Sequence, residues 1–213
     1  MKTDNYEVWR TDWRNRFLSM DHGALQRKLP FLEAEGGKLV FQYFGSSYAA
    51  DCATGFLSPL RDAPAMTLNE ELNVYTLFWY AAADARIRHN WMPFYQLKSA
   101  SPFAAAFQRS VIQPLADCFN GKEELLRQAL RRMGGCSGSG SDSHTDMEVR
   151  AFDCMPVRVL FWDGDDDFPA QANLLFDESA TDFIHVESVV TIASSLLRRL
   201  ILFSGLSPDP NAF

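Results

Sequence analysis

A chain of 213 residues that is 47% hydrophobic and 13% aromatic can fold as one domain burying roughly 70% of the surface its unfolded form exposes. Its formal charge of −7 opposes the counter-ion release by clustered Lys and Arg on which phosphate-backbone binding depends, which argues against a nucleic-acid partner. The start, Met1-Lys2-Thr3-Asp4, has no apolar signal-peptide core, and the greasiest window, residues 72 to 83, is too short to cross a bilayer. The expectation is a cytoplasmic protein with no membrane partner.

Along the chain, Tyr6, Trp9, Trp13 and Phe17 recur at helical spacing and predict an amphipathic helix over residues 4 to 19, docked by its aromatics. Two alternating runs, 31 to 35 and 38 to 44, flank Gly36-Gly37, the signature of a two-residue hairpin turn. A third strand follows over 47 to 52. Thr67-Leu68-Asn69-Glu70 has capping-box spacing and opens a helix predicted over 68 to 84, apolar almost all round. Residues 86 to 100 read as an ordered crossing loop. Phe103, Phe107, Val111, Leu115 and Phe119 define a helix over 102 to 119 that Pro114 should kink. A shorter helix over 122 to 133 keeps its basic residues wet.

The Gly/Ser-rich stretch 134 to 145 reads as a flexible loop inside a single domain spanning 1–213. Strands are expected over 147 to 153, 157 to 162 and 172 to 176, then a terminal helix over 187 to 203 and an extended tail over 205 to 213. The class is therefore α+β: a mainly antiparallel sheet of about five or six strands packed by about five helices.

Four cysteines, Cys52, Cys118, Cys136 and Cys154, are widely separated, so no Cys-x-x-Cys pair seeds a zinc site or an iron–sulfur cluster. The densest chemistry lies in residues 163 to 178. Asp163, Asp165, Asp166, Asp167, Asp177 and Glu178 occur there with no basic residue. Carboxylates ~7 Å apart in water repel by only about 0.6 kcal/mol, so a solvated turn tolerates them, whereas burial would require a cation or a proton. The spacing of Asp163, Asp165 and Asp167 imitates the start of an EF-hand. Phe168 replaces its turn glycine and Leu174 its bidentate glutamate, which excludes that motif and leaves a Mg²⁺ or Mn²⁺ site as the metal alternative.

His185 and Glu187 flank the last helix and are the candidates for acid–base work, with helix capping as the competing role. Trp162, Phe168, Trp91, Arg86 and Arg88 are the candidates for ligand contact beside the acidic loop. No serine-nucleophile elbow, phosphate loop, dinucleotide fingerprint or His-Glu-x-x-His pair is present in the sequence.

The run Phe161-Trp162-Asp163-Gly164-Asp165, then Phe168-Pro169, Asn173-Leu174-Leu175-Phe176-Asp177 and Glu187, resembles an uncharacterised bacterial and archaeal family, domain of unknown function 3786. Phe44-Gly45 with Tyr48, Trp91-Pro93-Phe94, Phe103 to Phe107 and Gly134-Gly135 agree with it. The resemblance runs from about residue 6 to 203 and implies a single-domain protein, frequent in anaerobes, with no assigned activity. Relatives with an added cysteine cluster are implied too, but this chain lacks one, so no redox chemistry carries over. The functional expectation is a non-catalytic cytoplasmic module for binding or assembly, with no cofactor. Its partner is a small molecule, a protein or a second copy of the chain. The alternative is a metal-assisted hydrolase or transferase built on the acidic loop.

Overall fold

A computed structural model describes residues 5–138, 143 and 145–206. Helix α1 (Asn5–Leu18) and the short α2 (His22–Lys28) lead into a meander of β1 (Glu33–Glu35), β2 (Lys38–Tyr43), β3 (Ser46–Asp51) and β4 (Leu57–Pro59). These strands are antiparallel neighbours in that order. Gly36 and Gly37 both take positive φ, +54° and +78°, the pair of left-handed residues that lets a two-residue turn follow the twist of its strands.

Helix α3 (Leu68–Tyr80) begins at the predicted capping box, in which Thr67 and Glu70 satisfy each other's backbone amides. After it come β5 (Trp91–Pro93) and a helical rod made of α4 (Ala104–Phe107), a π turn at Gln108–Ile112 and α5 (Gln113–Phe119). Pro114 therefore acts by widening the turn before it: without an N–H for the carbonyl of residue 110, the ladder slips into i→i+5 pairing. Helix α6 (Glu123–Arg132), β6 (Cys136–Ser137), β7 (Thr145–Phe152), β8 (Met155–Trp162) and β9 (Gln171–Asp177) follow. The short α7 (Ala180–Phe183) and the long α8 (Val186–Ser204) complete the described chain.

The predicted strands all form, and they divide between two antiparallel sheets. The second sheet has the order β5-β9-β8-β7-β6. The sheets meet where the end of β2 lies against the end of β7: the Phe44 amide donates to the Ala151 carbonyl at 3.1 Å, and the Phe152 ring lies 4.9 Å from that of Tyr43 and 6.3 Å from that of Phe41. Three strands escape the sequence reading, β4, β5 and β6, because each has only two or three residues and cannot display a period of two.

One continuous apolar core fills the space between the sheets and the helices. It takes Val189, Ile192, Ala193, Leu196, Leu197 and Leu200 from α8, with Val74, Leu77 and Phe78 from α3. Two expectations are corrected. The aromatic stripe of α1 packs only in its second half, since Phe17 is buried and the half-buried Trp13 packs against the core while Trp9 is 60% exposed; the Tyr6 side chain lies outside the described set. Helix α3 ends at Tyr80 and leaves Trp79 and Tyr80 half exposed. Of the Gly/Ser stretch, residues 139–142 and 144 lie outside the described residues, as do 207–213 of the tail.

Candidate functional site

Within the core, one charge pair fixes α8 against α3. Arg199 and Glu70 are both fully buried, with Arg199 Nε 2.6 Å from Glu70 Oε1. The guanidinium also donates to the Tyr43 carbonyl at 3.2 Å and the Tyr48 hydroxyl at 2.8 Å, and lies over the Tyr43 ring at 4.7 Å. The other Glu70 oxygen accepts from the Thr67 amide at 2.8 Å and the Thr67 hydroxyl at 3.2 Å. Burial alone would lower the Arg199 pKa, but the Glu70 carboxylate reverses this and raises it. Burial pushes Tyr43 above its ordinary value as well. Beside this pair, Asn73 donates to the Tyr43 hydroxyl at 3.2 Å and accepts from the Thr191 hydroxyl.

Above the network lies a groove of about 720 Å³ between the start of α3 and one face of α8. Its α8 wall is Thr191, Ser194, Ser195, Arg198, Ile201 and Leu202, ending at Gly205 and Leu206; Thr67 and Asn69 form the opposite wall. From 191 to 205 these positions repeat every three or four residues, so they stack on one helix face over about 21 Å. The wall is graded. Hydroxyls occupy one end and aliphatic side chains the other, with Arg198, 40% exposed, between them.

Asn69 and Thr191 also border a second recess of about 220 Å³. Trp9, Trp13, Tyr80, His185 and Glu187 surround it. The rings of Trp13 and Tyr80 are 6.2 Å apart, and those of Tyr80 and His185 are 6.1 Å apart. The two acid–base candidates thus do border a concavity. Their interaction with each other is nonetheless a cap: the Glu187 amide donates to His185 Nδ1 at 3.3 Å, and the Glu187 carboxylate stands 4.0 Å from the same nitrogen.

The remaining sequence candidates divide between opposite ends of β9. At one end, Asp163 Oδ1 accepts from the Gly121 amide at 2.7 Å and the Gly164 amide at 3.0 Å, tying the β8–β9 hairpin to the turn between α5 and α6. Gly164 is required there, because a Cβ would lie 2.5 Å from the Asn120 side-chain oxygen and 2.9 Å from the Ala170 amide. Asp165 Oδ1 accepts from the Asp167 and Phe168 amides at 2.9 and 2.8 Å. Asp165, Asp166, Asp167 and Phe168 are exposed, and Trp162 is half-buried. Among the described residues no group of three or more His, Cys, Asp or Glu is arranged to hold a metal ion.

At the other end, Trp91 pairs with Asp177 across β5 and β9. Asp177 is 2% exposed, and its carboxylate gathers the Arg88 amide at 3.0 Å, the Asn90 amide at 3.1 Å, the Ser179 amide at 3.0 Å and the Ser179 hydroxyl. Burial pushes its pKa up, yet these hydrogen bonds outweigh burial and hold it below the ordinary carboxylate range. The Arg88 side chain pairs with Asp182 at 2.5 Å, and Arg86 donates to the Ala85 carbonyl at 2.6 Å. Trp162 pairs with Gln171, six residues from Asp177. The strand rise then separates the acidic loop from the Arg88 loop by about 20 Å, so the two do not form one site.

The groove is what the sequence reading missed. Its one legible sign was Arg199, which shares the helical stripe of the apolar Ile192 and Leu196 and so had to be buried with a partner. No helix among the described residues is long and apolar enough to cross a membrane. Residues 23–199 match a family model described as a domain of unknown function, number 3786. No curated protein and no solved structure matches the chain. The matched span contains the polar half of the groove and stops before Ile201.

Proposed function

We propose that this chain, which belongs to the domain of unknown function 3786 family, is a non-catalytic ligand-binding module of the cytoplasm whose ligand lies in the groove between α3 and α8. The observation that carries this reading is the groove itself. A concavity of about 720 Å³ is of the size and character that small-molecule sites have, mostly apolar with a few convergent polar groups. Beneath it, the Glu70–Arg199 pair and the Asn73 hydrogen bonds hold both helices in register, which gives the ligand a preformed wall. Four free cysteines suit a reducing compartment.

A thermal-shift screen of small amphiphiles against the wild-type chain and Ser194→Trp tests the reading. Ser194 is half-buried in the middle of the groove wall, so an indole there fills the space without entering the core. Compounds that raise the melting temperature of the wild type should lose that effect in the variant. Hits that stabilise both proteins equally would place the site elsewhere and overturn the reading.

A further inference from the structure

We infer that the groove selects a free medium-chain carboxylic acid, with its carboxylate on Arg198 and its hydrocarbon tail running along Ile201 and Leu202 toward Leu206. This deepens the proposed function and rests on the groove being the ligand site.

Glu70 supplies one negative charge to this region, and Arg198 and Arg199 supply two positive ones. Arg199 takes the closer position on Glu70, at 2.6 Å and fully buried, while Arg198 Nη1 stands 3.5 Å from the other oxygen with its side chain 40% exposed. The Thr67 amide and hydroxyl already serve that second oxygen. Glu70 is therefore satisfied by Arg199 and Thr67, and Arg198 brings one surplus positive charge to the groove. It is the only charged residue among the described residues that line it. The first turn of α3, at Thr67 and Asn69, adds the positive end of its dipole to the same place.

One surplus charge beside a buried carboxylate suits a monoanion. A dianion such as a phosphate monoester would bring a second charge that nothing in the wall compensates, and it would face Glu70 at close range. A guanidinium presents a planar fork of donors matched to a carboxylate. The Asn69 side-chain amide, on the opposite wall, can complete its hydrogen bonding, and the Ser194 hydroxyl, one helical turn from Arg198, can join it by rotating away from the Val190 carbonyl, to which it donates at 3.1 Å.

The other half of the wall sets the tail. From Arg198 to Gly205 the helix rises about 10 Å, and that length is lined by Ile201, Leu202 and Leu206. Leu202 is 48% exposed, an apolar surface that a hydrocarbon chain lying along the groove would cover. A cationic amphiphile would meet Arg198 as a like charge. A neutral one would desolvate the guanidinium without bringing a counter-charge for its surplus positive charge.

The test compares octanoate, octanol and octyltrimethylammonium by calorimetric titration, with the amide spectrum of ¹⁵N-labelled protein followed in parallel. Octanoate should bind most tightly and shift the amides of Asn69, Ser194, Arg198 and Leu202. Arg198→Gln should weaken octanoate about tenfold or more, the loss expected for a charge-assisted hydrogen-bonded pair, and leave octanol unchanged. Arg198→Lys, which keeps the charge but not the fork, should weaken octanoate less than Arg198→Gln, which separates loss of charge from loss of fold. If octanol or octyltrimethylammonium shifts the groove amides and binds as tightly as octanoate, the carboxylate assignment is overturned while the groove remains the ligand site. If none of the three shifts any groove amide, both fall.

Discussion

Replacing Glu70 by Gln is the sharpest perturbation of the fold. The substitution keeps the shape, and its amide oxygen can still accept from the Thr67 amide, so the helix cap survives. What it removes is the counter-charge of Arg199, a guanidinium with no exposed surface whose other acceptors are the neutral Tyr43 carbonyl and Tyr48 hydroxyl. Breaking a buried pair by deleting one partner costs about 3–5 kcal/mol, because the remaining charge stays buried without compensation. That is a large part of the roughly 5–15 kcal/mol available to a folded domain. At ~2–4 °C per kcal/mol for a chain of this length, the melting temperature should fall by roughly 6–20 °C. Urea unfolding followed by tryptophan fluorescence should show a lower midpoint with an unchanged slope. Adding Arg199→Met to Glu70→Gln should restore much of the loss, since an apolar side chain of similar length then fills the site. A single variant that loses less than about 1 kcal/mol, or a double variant worse than the sum of its parts, would refute the reasoning.

Asp177→Asn should cost about 2–4 kcal/mol in urea unfolding, because a side-chain amide would face the Asn90 or Arg88 N–H where a carboxylate oxygen now accepts. The sign of its pH dependence follows from a folded pKa below the unfolded one. Its stabilisation is complete above the ordinary carboxylate value of about 3.9 and is lost as pH falls through the folded value. The wild type should therefore lose stability below about pH 4 more steeply than the variant, and parallel acid profiles would contradict this. Asp163→Ala should lose about 1 kcal/mol through the Gly121 amide it leaves unpaired, while Asp166→Ala, at an exposed position, should stay within about 0.5 kcal/mol. Millimolar Mg²⁺ or Mn²⁺ should leave the melting temperature unchanged, since Asp163 and Asp165 each spend an oxygen on backbone amides. A rise that Asp163→Ala abolishes would restore the metal reading of the acidic loop.

Wherever a residue type dictates local geometry, the sequence anticipates the structure. Gly36-Gly37 gives the hairpin, Thr67 with Glu70 gives the start of α3, and the alternation around Val157 and Val159 gives β8. Long-range assembly was not legible in the same way. That β2 and β8 belong to separate sheets, which meet at the Phe44–Ala151 contact and the Phe152 ring, leaves no trace in local periodicity. The aspartates of residues 163–167 are the most conspicuous chemistry in the sequence, and in the structure two of them, Asp163 and Asp165, also anchor the hairpin and its turn. The groove arises where two helices far apart in sequence pack together. Its hydroxyl residues look like ordinary helix surface until α3 is laid beside them. Arg199 held the recoverable clue, a cation on a buried stripe.

The most direct test of the central claim is an amide-shift map of the ¹⁵N-labelled chain against a small-fragment library. The account predicts that binding fragments shift Thr67, Asn69 and the α8 face from Thr191 to Leu206 as one contiguous set. Shifts gathered instead at residues 86–98 or 163–168, with the α8 face silent, would contradict it.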